Sequence, residues 1–321
     1  MKLAMLIAFA SVALITTGPS SAQDYPNRPI RMVTPIASGG MTDVVSRVIG
    51  AKLAERLGQP VVIENRPGGG GNIGAEAVVR SAPDGYTLLF AYPGPIVVSP
   101  SLTKSLSYDP ERDLKAVSLL GTYPMVLAVN SSLPVKTVGE LVEYARSKPG
   151  QLSYGSAGNA STSHLAMELL RRQAGIEMTH IPYKGAAPAM TDLMAGRIQL
   201  VFDSVQLVMP QHQAGKLRAL AVSSRDRSPT VDLPGMAEAG LQNVDVSGWF
   251  GIFVPAGTPQ PIVDRLSREL ASIVRDPALV KDLLGRGIAA VGSSPQELAT
   301  RVKDERQMWG KVIQDAGIRA D

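Results

Sequence analysis

The sequence predicts an α/β protein built as two lobes. Three observations carry that expectation. Short strand-like runs alternate with helical spacings across brief connections, the pattern of parallel sheets covered by helices. The alternation occurs twice, once up to Ala91 and again from Met125 onward. The last helical stretches have no strands of their own, so they are expected to return to the first sheet. The length of 321 residues suits two domains of about 150 residues each.

In the first half, Ile30 to Thr34 (IRMVT) reads as a strand. Val45, Val48, Ile49, Leu53 and Leu57 then recur at three and four residues, a helix that Gly58 closes. Pro60 to Asn65 and Tyr86 to Ala91 are further strands, with a short helix, Ile73 to Val79, between them. In the second half, strands are expected at Met125 to Asn130, Leu152 to Tyr154, Thr179 to Pro182, Ile198 to Phe202 and Leu217 to Val222. Helices lie between them, one opened by the capping pair Thr137 and Glu140. A Pro-rich connector, Ser228 to Gly240, leads to the strand Ser247 to Val254. Helices from Pro261 to Val274 and from Ser294, with its cap partner Glu297, complete the chain.

Composition narrows the function. Hydrophobic residues are 45% and charged residues 19%, so a sizeable core can form. With no cysteine, a disulfide scaffold, a thiolate zinc site, a Cys nucleophile and a lipidated N-terminus are all excluded. Only His164, His180 and His212 are available as histidines, too few for a His-rich metal site. The net charge of +4 is compatible with an anionic partner. Aromatics at 5% and no basic run longer than Arg171-Arg172 argue against nucleic acid.

Residues 1–22 read as a cleaved secretory leader. Lys2 supplies the positive start, Leu3 to Ile15 the apolar run, and Ser20-Ser21-Ala22 the small residues at the cleavage site. An uncleaved anchor would need about 20 apolar residues, and this run is about 13. The mature chain is thus expected to begin near Gln23 and to be exported.

Two loops each follow a strand and enter a helix. The first contains Ala37, Ser38, Gly39, Gly40, Thr42 and Asp43; the second contains Gly155, Ser156, Gly158, Ser161 and Thr162. At such a junction the first helical turn leaves N–H groups unpaired, and the dipole adds about half a positive charge. Small residues let an anion approach the backbone. Facing each other across a cleft, the two loops would hold a carboxylate. The plainer alternative is that Gly and Ser make tight turns and caps. Asp203 ends an apolar strand and could face the same cleft, or could cap the next helix.

Other constellations are weaker. Gly69-x-Gly71-x-x-Gly74 fits the dinucleotide fingerprint, but Tyr92 and Pro93 stand where its ribose-binding acid belongs. No P-loop Gly-Lys-Ser/Thr follows. His164 and Glu168 sit one helical turn apart without an apparent third metal ligand. Tyr154 replaces the first glycine of a nucleophile elbow around Ser156.

Several segments together resemble the Bug family, the periplasmic solute-binding proteins of tripartite tricarboxylate transporters. They include Leu57-Gly58-Gln59-Pro60-Val61-Val62-Ile63-Glu64-Asn65-Arg66-Pro67-Gly68, Asp84-Gly85-Tyr86-Thr87-Leu88-Leu89, His180-Ile181-Pro182-Tyr183-Lys184-Gly185, Trp249-Phe250-Gly251 and Pro255-Ala256-Gly257-Thr258-Pro259. The resemblance implies a two-lobed, type II periplasmic-binding fold that closes on one small ligand, often a carboxylate. It implies lobe 1 from 23–123 plus 252–321 and lobe 2 from 124–251. The first loop would hold the carboxylate, partly through water. The second loop and Asp203 would set selectivity. It further implies no enzyme activity, no cofactor, a monomer, and delivery to a membrane transporter or to a sensor kinase ectodomain. Ile36 stands where the family usually has an aromatic residue, Ala160 where it has glycine, and the wall Tyr92-Pro93-Gly94-Pro95 is unusual. The rival expectation is a secreted hydrolase or a dinucleotide-dependent oxidoreductase.

Overall fold

The computed structural model describes residues 25–318 except Lys104, Ala160 and Lys184. The expected leader and the departure at Ala160 lie outside the described residues.

The first sheet starts with β1 (Ile30–Thr34), β2 (Val61–Asn65) and β3 (Thr87–Ala91), where β1 pairs in parallel with both neighbours. Helix α1 (Met41–Leu57) crosses from β1 to β2. It buries Val45, Ile49, Leu53 and Leu57 and ends at Gly58, whose φ of +69° only glycine adopts cheaply. Helix α2 (Asn72–Val79) crosses from β2 to β3, and two short helices, α3 (Ser99–Leu102) and α4 (Pro110–Asp113), follow.

The next strand organises the molecule. Strand β4 (Leu114–Asn130) is 17 residues long. From Leu114 to Pro124 it pairs antiparallel with β9 (Ser247–Pro255), which in turn pairs with β3. From Met125 to Asn130 it pairs instead with β7 (Leu200–Ser204) and β8 (Leu217–Val222). β4 is therefore the edge of one sheet and the interior of another. The sheet order is β2-β1-β3-β9-β4-β7-β5-β6, with β5 (Ser153–Ser156) and β6 (Thr179–Pro182) parallel to β7. The sequence suggested only Met125 to Asn130 as strand. Gly121 and Pro124 looked like breakers, but irregularities at Ala116/Ser118 and Leu119/Gly121 keep the longer strand paired.

The helices of the second half are α5 (Val138–Ser147), α6 (Thr162–Ala174), α7 (Ala186–Met194) and α8 (Val205–Gln213). After β9 come α9 (Gln260–Ile273), α10 (Pro277–Gly285), the two-residue β10 (Ala289–Ala290) and α11 (Pro295–Ala316). The sequence reading missed α10 and β10. As expected for helices without strands of their own, α9 packs on the first sheet: Ile262, Val263, Leu266 and Leu270 join Ile49 and Leu53 of α1 in one cluster. Helix α11 lies across both halves. Leu298 and Trp309 share a core with Trp249 of β9 and Leu165 of α6, and Arg172 pairs with Asp315 at 2.5 Å.

The chain passes between the sheets twice, at Pro124/Met125 and at Val246/Ser247. A boundary after Gly251 would cut β9, yet its pairing with β4 runs from Ser247 to Pro255. Ser223 joins the two crossings. Its Oγ accepts from the Met125 N–H at 2.8 Å and donates to the Val246 carbonyl. Its backbone N–H donates to Met125 O at 2.7 Å, and its carbonyl accepts from Val246 N at 2.9 Å. Ser223 is fully buried, so nothing from solvent replaces these bonds. Ser223→Ala is expected to destabilise the protein by about 1–3 kcal/mol, measured by urea denaturation, with the secondary structure unchanged by circular dichroism.

Candidate functional site

Strand directions bring the two predicted loops to one junction. β1, β3 and β4 run in the same sense, toward the second sheet, because β9 is antiparallel to both β3 and β4. In the second sheet β5, β6, β7 and β8 all oppose β4 and run toward the first. The carboxyl ends of both sets of strands, and the N-termini of α1, α6, α7 and α8 that follow them, thus meet between the sheets. Ligands of open α/β sheets bind at such ends.

The first loop is open. Ala37, Ser38, Gly39 and Gly40 are exposed. Gly40 is the N-cap of α1 and provides no side-chain cap, so the first-turn amides of a 17-residue helix have no protein acceptor among the described residues. The Ser38 hydroxyl has no partner there either. Gly39 has φ +95°, which turns the chain sharply into the helix.

Asp43 lies beneath this loop. It is 4% exposed, and its carboxylate accepts from Gly39 N at 2.9 Å, Asn65 Nδ2 at 2.8 Å and Arg47 Nε at 3.1 Å. Asn65 also donates to the Ile36 carbonyl at 3.1 Å. The Arg47 hydrogen bond, then the Gly39 amide, hold the Asp43 pKa down at about 2. Thr42 is buried in the same turn. Asp43 therefore braces the loop and takes up the Gly39 amide, which the sequence assigned to a ligand. Arg47 offsets the negative charge that Asp43 places at the helix N-terminus.

The second loop is largely self-satisfied. The Ser156 hydroxyl donates to the Gly158 carbonyl at 3.0 Å and accepts from Gly158 N at 3.2 Å. Ser161 caps α6 by accepting from His164 N at 3.3 Å, and Ser163 accepts from Ala157 N at 3.0 Å. Gly155 is enclosed: a Cβ there would lie 2.5 Å from Ile198 Cδ1. Gly155 and Ser156 thus sit below the surface, whereas Gly158, Ser161 and Thr162 are half-buried at its rim. The pairing Gly155↔Val201 carries Ala157 alongside Asp203. Asp203 itself pairs with Val126, just past the crossing, and accepts from Ser204 N at 2.7 Å. Burial raises its pKa.

Sequence reasoning missed the supports. Beneath the second loop the His164 and His180 rings stack at 3.8 Å with Tyr154 next in the pile. His180 Nε2 lies 2.7 Å from Ser156 Oγ. The Ser156 proton is directed at Gly158, so this contact is a donation from Nε2–H. Glu168 is occupied by Tyr154 Oη at 2.5 Å and Arg171 at 2.8 Å. Among the described residues no group of three or more metal-ligating side chains exists. The glycines of the dinucleotide-like run serve packing. The position of a Gly71 Cβ is filled by Tyr92 Oη at 2.6 Å, and that of Gly74 by Pro35 Cβ at 2.6 Å. No pyrophosphate could approach there.

Two sheets sharing one strand, with helix N-termini converging between them, define a two-lobed solute-binding protein. Residues 45–318 match the family described as the tripartite tricarboxylate transporter family receptor. The chain is 36% identical to Protein BugT of Bordetella pertussis over 99% of each chain. Among solved structures, Rpa4515 of R. palustris with adipate is 39% identical, with a TM-score of 0.76 over 92% of this chain and 99% of that one. MatC from Rhodopseudomonas palustris with bound malate is 33% identical, with a TM-score of 0.72 over 90% of this chain and all of the other. The chain belongs to the tripartite tricarboxylate transporter receptor family. It is a binding protein of the kind that serves a membrane transporter, not an enzyme.

Two outcomes follow from the supports. Asp43→Asn should weaken ligand binding at least tenfold and lower stability by about 1–2 kcal/mol, read by calorimetric titration and denaturation. Burial, then His164, pushes the His180 pKa from its ordinary 6.5 down to about 4, and burial also lowers His164. The folded state keeps these rings neutral while the unfolded chain takes up protons near pH 6.5. Stability is therefore complete above pH 6.5 and lost as pH falls toward 4. Melting temperature should drop between pH 7 and 5, and His180→Gln should flatten part of that drop.

Proposed function

We propose that this protein is exported, matures near Gln23 and captures one small organic carboxylate in the periplasm. Its lobes are residues 25–124 with 247–318, and residues 125–246. The ligand carboxylate docks on the α1 N-terminus, against Ala37 to Gly40 and Thr42. Gly158, Ser161, Thr162 and Asp203 close on it from the other lobe. Bridging both lobes stabilises the closed state, so binding shifts the population rather than creating a new fold. The closed monomer then delivers its cargo to the membrane transporter; a sensor ectodomain could read the same closed surface.

The observation that carries this reading is the uncapped N-terminus of α1. Seventeen helical residues end on exposed amides beside a free Ser38 hydroxyl, at an edge that faces a second helix N-terminus. The adipate of Rpa4515 and the malate of MatC support a carboxylate as the class of ligand.

The test is a thermal-shift and calorimetric screen of mono-, di- and tricarboxylates. A true ligand at 100 times its dissociation constant should add about 2.7 kcal/mol of stability, with no turnover. Gly39→Asp should reduce its affinity at least 100-fold. A Cβ at Gly39 meets nothing within 4 Å, so the loss would come from backbone strain at φ +95° and from the like charge. Unchanged affinity in that variant would remove the first loop from the site, and silence across the whole panel would refute the carboxylate reading.

A further inference from the structure

The two crossings carry an aromatic side chain that neither the loops nor the core accounts for. Tyr123 is the penultimate residue of β4 before the sheets change, and it pairs in register with Gly248 of β9. Its ring occupies the space that a side chain at Gly248 would fill. A Cβ there would lie 2.2 Å from Tyr123 Cε2 and Cζ and 2.7 Å from its hydroxyl. Phe250 holds the ring on the same strand, with centroids 4.9 Å apart. The ring is thus laid flat across β9, at the edge where the strand ends of both lobes meet.

The Tyr123 hydroxyl is the exception among polar groups at the crossings. Ser223 satisfies Met125 and Val246, and the Trp249 indole donates to Glu305 at 2.8 Å. No described residue bonds the Tyr123 hydroxyl, although the side chain is only half-buried and a partner could reach it. Buried polar groups are normally paired. Burial, then the nearby Tyr92 and Glu305, pushes the Tyr123 pKa well above its ordinary value. The hydroxyl is therefore a neutral donor throughout the working pH range.

We infer that Tyr123, seated on Gly248, forms the floor of the ligand site and donates a hydrogen bond to a second acceptor on the bound carboxylate. This inference rests on the carboxylate reading and narrows it. The preferred ligands are acids carrying a further carboxylate, keto or hydroxyl oxygen, and plain aliphatic monocarboxylates are the poorer class. The first acid group would sit on α1, and the second would be read from the hinge floor.

The experiment compares matched acids of equal chain length, with and without the second oxygen group, on the wild type and on Tyr123→Phe. The wild type should favour the acceptor-bearing acid about tenfold or more, the worth of one hydrogen bond to a charged group. Tyr123→Phe should lose that preference while still binding the plain acid as the wild type does. Gly248→Ala, with its melting temperature checked, should displace the ring and give the same loss. If Tyr123→Phe keeps the wild-type preference, the hydroxyl meets only solvent and the inference falls while the carboxylate reading stands. If no carboxylate binds the wild type, both fall.

Discussion

Everything in this molecule hangs on one strand that belongs to two sheets. At about 3.3 Å per residue, 17 residues of β4 span roughly 55 Å, enough to thread both lobes. Because β4 keeps its direction through the crossing, the strand ends of the first lobe are aimed at the second. Because β5, β6, β7 and β8 oppose it, theirs are aimed back. The cleft is a consequence of strand direction, not of any particular loop. Ser223 then ties the two crossings together with both its side chain and its backbone. A hinge made this way can twist at Pro124 and Ser247, but its strands cannot separate without leaving buried amides unpaired.

The two loops at that junction look alike in sequence and differ physically. The first leaves a helix N-terminus uncapped and exposes it. The second has its hydroxyls engaged in holding its own backbone, with Ser156 tied down to the His180 ring. The first therefore offers positive potential and the second offers shape. This asymmetry suits a receptor that grips a charged group from one side and closes on the remainder from the other. It also explains why Asp43 can sit in the first turn of α1 without repelling an anion: its charge faces Arg47 and Asn65 beneath the loop.

Much of this was legible in the residues. The alternation of strands and helices, the stop at Gly58 and the start at Ser294 all follow from local chemistry. The Ser294 and Glu297 side chains do cap reciprocally. The pair at Thr137 and Glu140 departs slightly, since Glu140 reaches the Lys136 amide instead. What misled was anything whose partner lies far along the chain. Leu114 to Pro124 looked irregular because its glycine and proline read as breakers until β9, more than a hundred residues later, supplied the pairing. The run Gly69 to Gly74 looked like a phosphate cradle until Tyr92 and Pro35 filled it.

The sequence by itself determined the class of fold, the two lobes and the positions of both loops, because helix spacing, strand composition and capping act over a few residues. Only the tertiary structure decided which amides stay open and which side chains brace them. Asp43 faces inward because Asn65, on another strand, comes within 2.8 Å of it. Tyr123 lies flat because Gly248, across the crossing, leaves room for its ring. Such choices depend on distances between segments remote in sequence, and a local pattern carries no information about them.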